Sequence, residues 1–201
     1  MIKVLVIATP RSGSSSLISN IDGHGSAIFG EILLPSFDQY FVNSLIASKH
    51  PFEFLLKVGW RPSTIPGVAA EPLTQYEQFD ERFIGFKVMA LHVIKYPLLS
   101  IRSIINCDYI IFIRPCSFIR QIKSLARIND GQDPHYYANG SQNSTPKQVK
   151  FRSYIRSFII ISANNILLFL FRQLLQLFYG ERVITGAQSN LDALRRVVDE
   201  T

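Results

Sequence analysis

The side chains best suited to chemistry stand together near the start of the chain, in Arg11-Ser12-Gly13-Ser14-Ser15-Ser16. A guanidinium supplies a fixed charge and a fork of N–H donors that matches phosphate or sulfate oxygens. Gly13 lets a ligand approach the backbone closely, and the serine hydroxyls add further donors. The implied chemistry is the binding of an oxyanion, with its charge neutralised by Arg11. The flanking residues show what positions this cluster. The apolar run Ile2 to Ala8 breaks at Thr9-Pro10, and apolar spacing resumes at Leu17, Ile18 and Ile21. That pattern predicts a buried strand over 2–8, a tight turn, and a helix over 15–22. Such a turn aims backbone N–H groups and the positive end of a helix dipole at one point.

The loop is related to a Walker A phosphate loop but lacks its lysine: Ser14 follows Gly13, where that motif places Lys. A nucleoside-triphosphate-hydrolysing role is therefore disfavoured. Beyond the loop, Asp22, His24 and Glu31 are side chains able to take a proton from a reacting hydroxyl. His24 has the side chain that titrates near neutrality. His92 and His135 are weaker candidates. Lys87 either points toward a bound anion or is an exposed residue between Phe86 and Val88, and the alternation favours exposure. A second basic-polar group lies at Arg114, Arg120 and Ser124; Arg120 and Ser124, four apart, share a helix face. Pro115 stiffens the preceding turn, and Ser117 is placed to cap the helix.

Strands are predicted at 2–8, 83–89, 108–114 and 182–185. Helices are predicted at 15–22, 36–48, 51–57, 94–104, 117–129, 151–178 and 189–199. The alternation implies an α/β fold with a central parallel sheet flanked by helices in three layers. Ligands in such sheets sit beyond the carboxyl ends of the strands, where the first loop lies. Segments 60–80 and 130–149, rich in Pro, Gly, Ser and Asn, read as long surface loops of the kind that cover substrates.

At 201 residues the chain suits one domain with a sizeable core. With 47% hydrophobic and 18% charged residues it is globular in composition. A net charge of +6 suits an anionic ligand, but the basic residues are scattered without a long run, which argues against nucleic acid. Cys107 and Cys116 read as reduced, buried thiols, with no disulfide or metal site implied. No signal segment precedes the first strand, so the expected location is cytoplasmic. Residues 157–178 are long enough to span a bilayer, yet Asn164, Asn165, Arg172, Gln173 and Gln176 interrupt the run. The preferred expectation is a helix buried against the sheet, with peripheral membrane contact as the alternative.

The string TPRSGSSSL resembles the 5'-phosphosulfate loop of sulfotransferases, which use 3'-phosphoadenosine 5'-phosphosulfate (PAPS). Further stretches match the bacterial carbohydrate branch of that family (Nod-factor and trehalose sulfotransferases) in order. They are FGEILLP at 29–35, HPFEFL at 50–55, IGFKVM at 84–89 and YIIFIRPCSFIRQIKSLARI at 109–128. The resemblance covers residues 2–130. It implies a single sulfotransferase-like domain over 1–201 with a P-loop-like three-layer fold and PAPS as cofactor. Arg11, Ser12, Gly13, Ser14, Ser15 and Ser16 would hold the bridging oxygen and 5'-phosphate. Glu31 would be the catalytic base, because trehalose-type relatives carry a catalytic glutamate in that segment. Arg114 and Ser124 would bind the 3'-phosphate, although Ser124 lies ten residues past Arg114 where the family spacing is eight or nine; Arg120 is a possible substitute.

The implied activity is transfer of a sulfuryl group to a hydroxyl of a carbohydrate or glycolipid acceptor, with a homo-oligomer possible. Many relatives carry a late basic, glycine-rich loop, whereas residues 180–201 here read GERVITGAQSNLDALRRVVDET. That departure supports an alternative, a catalytically silent protein of the same fold that binds a nucleotide or partner. A kinase with a variant phosphate loop is a third possibility.

Overall fold

The structure is a computed structural model, and it describes residues 1–12, 26–30, 32–33, 37–57, 60–62, 70–72, 83–113, 117–130 and 149–185. Its centre is β1 (Ile2–Ala8), an uninterrupted apolar strand whose last five residues are all buried. A strand covered on both faces needs no polar side, which is why this one reads as a continuous run rather than an alternation. Along it, Val4, Val6 and Ala8 face one layer and Leu5 and Ile7 the other.

Two strands flank β1 in parallel: β5 (Phe83–Met89) on one side and β6 (Tyr109–Ile113) on the other. β2 (Ser26–Phe29) pairs with β5 at one edge, and β7 (Val183–Thr185) pairs with β6 at the opposite edge. The order is β2-β5-β1-β6-β7, all parallel, and helices flank the sheet, in agreement with a three-layer α/β architecture. Two short strands, β3 (Trp60–Pro62) and β4 (Ala70–Pro72), form a separate antiparallel pair inside the segment expected to be loop.

The larger core cluster joins Leu5, Ile7, Phe86 and Phe112 of the sheet to helices on one face. These are α1 (Gln39–Ala47), α2 (Pro51–Lys57), α4 (Pro97–Asn106) and α6 (Phe151–Tyr179). The residues of the second cluster, on the opposite face, all belong to strands among those described. Gly85 lies opposite Val4 in the β1–β5 ladder, and a Cβ there would collide with the Val4 carbonyl oxygen, so close pairing of the two strands depends on glycine.

The helix expected over 94–104 is two helices, α3 (Ala90–Lys95) and α4, broken at Tyr96. Pro97 sits at the first position of α4, where its missing N–H costs nothing, and it pushes Tyr96 out of helical geometry. α5 (Phe118–Asn129) starts as expected: the Ser117 side chain accepts a hydrogen bond from the Arg120 backbone N–H.

The long helix α6 differs from expectation in its burial. It packs against α5 and the sheet on one side, but only 22% of its most apolar window is buried. Cys107 is buried and free, and burial pushes its thiol up to about 12. The expected helices at 15–22 and 189–199, and Cys116, lie outside the described residues.

Candidate functional site

β1 is central, and its chain leaves toward the β2 edge, whereas the chain leaving β6 goes toward the β7 edge. The crevice between the carboxyl ends of β1 and β6 is therefore a topological switch point, where ligands of open α/β sheets bind. The two strands end flush there, with Ala8 paired to Ile113.

Beyond Ala8 the chain turns at once. The Ser12 backbone N–H donates to the Thr9 carbonyl at 3.3 Å, closing a four-residue turn over Pro10 and Arg11. Pro10 presets the second position of the turn, and Arg11 at the third has φ of 60°. That left-handed conformation favours glycine, and among the described residues Arg11 is the one non-glycine residue that adopts it. Holding an L-residue there costs on the order of 1 kcal/mol, a strain that persists only where the surroundings enforce it.

The enforcing groups are visible. Gln121, on α5 and 1% exposed, donates from Nε2 to Thr9 Oγ1 and to the Pro10 carbonyl, both at 2.8 Å. Its Oε1 accepts from Asn165 Nδ2 of α6 at 3.2 Å. A relay of two amide side chains thus ties the turn to two helices. Arg11 completes the arrangement by donating from Nε to Ser124 Oγ at 2.7 Å. Gln121 and Ser124, three apart, occupy neighbouring positions on the same face of α5.

Two features leave the site ready for a ligand. Ser12 is 7% exposed, and its Oγ has no hydrogen-bond partner among the described residues. A buried hydroxyl without a partner costs about 1–3 kcal/mol, so such an atom in a loop is a position where a bound group would be favoured. The terminal nitrogens of Arg11 likewise have no partner among the described residues, and the side chain is exposed. The amino end of α5 begins at Ser117 and adds its partial positive charge. The arrangement offers an oxyanion the Arg11 guanidinium, with the Ser124 hydroxyl beside it on the helix and the unpaired Ser12 hydroxyl buried in the turn. A carboxylate or phosphate of a nucleotide meets these requirements equally well.

Several expected site residues are placed, and others are not. Arg11, Ser12 and Ser124 come together, so the two anion-binding groups expected separately adjoin through one hydrogen bond. Gly13, Ser14, Ser15, Ser16, Asp22, His24, Glu31, Arg114 and His135 lie outside the described residues. Arg120 is exposed, and among the described residues no bond links its side chain to the turn. His92 is occupied locally, accepting from the Met89 backbone N–H at 3.4 Å through Nδ1. Lys87 corrects the expectation of exposure: it is 1% exposed, on the sheet face carrying Val6, its neighbour in register.

Gln121 and Asn165 were not foreseeable as site residues from motif alone. Their signal was present all the same, as amides placed within otherwise apolar helix faces, where a buried polar group requires a partner. A scan against protein-family models finds none that matches this chain, and a search of the curated proteins finds no match either.

Proposed function

We propose that this chain transfers a sulfuryl group from PAPS to a hydroxyl of a carbohydrate or glycolipid acceptor. The observation that carries the proposal is the orphaned, buried Ser12 hydroxyl beside a strained arginine at the switch point of the sheet. Strain at a non-glycine residue and an unpaired buried donor are both retained where a ligand uses them. The missing Walker lysine disfavours a nucleoside triphosphate, and the resemblance of TPRSGSSSL to a 5'-phosphosulfate loop is what favours a sulfated nucleotide.

PAPS, when bound, supplies an activated sulfuryl group on a phosphate leaving group. Arg11 neutralises the negative charge that grows on that phosphate, and Ser12, Ser14, Ser15 and Ser16 donate to its oxygens. Gly13 keeps the backbone open to close approach. Ser124, with Arg114 and with Arg120 as a substitute, holds the 3'-phosphate. Because Ser124 Oγ already accepts from Arg11, binding at one position is felt at the other. Glu31 takes the proton from the acceptor hydroxyl. It follows β2, whose carboxyl end lies at the same end of the parallel sheet as the turn, two strand spacings or about 10 Å from β1.

The test is transfer of radiolabelled sulfate from PAPS to a mixture of glycans and glycolipids. The proposal expects labelled carbohydrate, no label with Arg11→Ala, and a rate lowered at least ~100-fold with Glu31→Gln while nucleotide binding is kept. Absence of transfer with intact 3',5'-ADP binding would leave the silent-binder alternative in its place.

A further inference from the structure

α6 is built inside out. Three of its six buried positions carry Ser153, Ser157 and Asn164, while Phe158, Ile159, Ile166, Phe169, Leu177 and Phe178 lie more than half exposed. The polar side explains the inward orientation. Ser153 donates to Asp130, Ser157 accepts from Asn129, and Asn164 accepts from the Leu91 backbone N–H. These bonds, with Leu168 and Leu175 in the core, fix the helix along the molecule from end to end. The apolar outer side continues onto neighbouring helices. Phe118 of α5 meets Phe158 edge-on at 5.8 Å, and Leu91 and Ile94 are exposed on α3, which packs against α6.

Four of the helices around this surface carry charge of a single sign. α3, α4, α5 and α6 contain no aspartate or glutamate, yet they carry Lys95, Arg102, Arg120, Lys123, Arg127, Arg152, Arg156 and Arg172. Of the nearby acids, Asp130 binds the Lys150 backbone N–H and Ser153, Asp108 binds the Lys3 backbone N–H, and Glu181 is exposed just past the end of α6. A surface of exposed Phe, Ile and Leu among Lys and Arg, on helices that themselves carry no carboxylate, has the composition of a helix lying in the headgroup region of an anionic bilayer. A second copy of the chain would bring like charges together across the contact. A span across the bilayer would require α6 to abandon its hydrogen bonds to α3 and α5.

We infer that the outer face of α6, with the adjoining faces of α3 and α5, docks peripherally on a membrane bearing anionic lipid. α6 then lies flat in the interface, over a length of about 43 Å for its 29 residues. This inference is independent of the proposed reaction, and 3',5'-ADP binding serves as the control that separates the two.

The experiment is co-sedimentation of the full chain with phosphatidylcholine vesicles, with and without about 30% phosphatidylglycerol. Binding is expected to be at least ~10-fold tighter with the anionic lipid and to fall steeply in ~0.5 M NaCl. The double variant Leu177→Glu/Phe178→Glu and the reversal Arg152→Glu/Arg156→Glu should each weaken binding at least ~10-fold, with unchanged circular dichroism and nucleotide binding. The exposed positions make unfolding of these variants no obstacle. No sedimentation with either vesicle would overturn the inference. So would a wild-type dimer in analytical ultracentrifugation that the Leu177→Glu/Phe178→Glu variant dissociates, or resistance to extraction by alkaline carbonate.

Discussion

Replacing Gln121 by leucine tests whether the turn is held by the amide relay. The change keeps the side chain's size but removes three hydrogen bonds, two to the turn at 2.8 Å and one from Asn165 at 3.2 Å. Thr9 is fully buried, so its hydroxyl loses a partner with no access to water. Pro10 and Asn165 are partly exposed, and water recovers some of what they lose. One buried group at about 1–3 kcal/mol and two at a discount, less roughly 1 kcal/mol regained by the apolar side chain, leave a net loss of about 2–3 kcal/mol. For a chain of this size that is a fall in Tm of roughly 4–12 °C.

The assay is urea unfolding, in which the midpoint should fall at an unchanged slope. A double-mutant cycle with Thr9→Val isolates the Gln121–Thr9 bond and should give a coupling of roughly 0.5–1.5 kcal/mol. Gln121→Glu should fare no better than leucine, because it turns a carboxylate oxygen toward the Pro10 carbonyl. The reasoning is refuted if Gln121→Leu unfolds within about 0.5 kcal/mol of the wild type, or if Gln121→Glu matches the wild type at neutral pH.

Three other outcomes follow from the same structure. At Arg11 the usual order of alanine over glycine should invert: Arg11→Gly should be more stable than Arg11→Ala by roughly 1 kcal/mol in urea unfolding, because only glycine adopts the positive φ freely. Gly85→Ala should destabilise by about 1–3 kcal/mol in the same assay, since the new Cβ forces β5 away from the Val4 carbonyl. The hydrogen bond from the Lys150 backbone N–H, supported by Ser153, holds the Asp130 carboxyl below its ordinary value of 3.8. Its contribution to anchoring α6 is therefore complete above that value and lost as pH falls through the lower folded one. Asp130→Asn should flatten this part of the acid limb in a pH series of unfolding midpoints.

The parts of the fold legible in the sequence are those where one physical rule dominates. β1, β5 and β6 are buried on both faces, and their apolar runs announce them. β2 has only four residues, Ser26–Phe29, too few for a pattern to stand out. β3 and β4 end in Pro62 and Pro72 and take their shape from pairing with each other, so composition alone suggested a loop. The break between α3 and α4 was legible in Pro97 but was masked by the apolar residues on either side. α6 misled for a different reason. Hydrophobicity identified the helix, but which side faces the protein is set by the hydrogen bond that Ser153 donates and those that Ser157 and Asn164 accept, which a hydrophobic count does not weigh. At the site, residue types and spacing marked Arg11 and Ser12, whereas Ser124 was expected through the family resemblance, at a spacing that departs from it. The direct bond between Arg11 and Ser124 depends on the placement of α5 across the sheet, and their separation of 113 residues in sequence conceals it.

The central claim is that the turn after β1 cradles a sulfated nucleotide. Calorimetric titration of the purified chain with 3',5'-ADP, beside ATP with Mg2+, tests it most directly. The account predicts metal-independent binding of 3',5'-ADP in preference to ATP, weakened at least ~10-fold by Arg11→Ala, the loss of a charge-assisted contact of about 1.5–3 kcal/mol. Mg2+-dependent binding of ATP alone, or 3',5'-ADP binding that Arg11→Ala leaves unchanged, would contradict it.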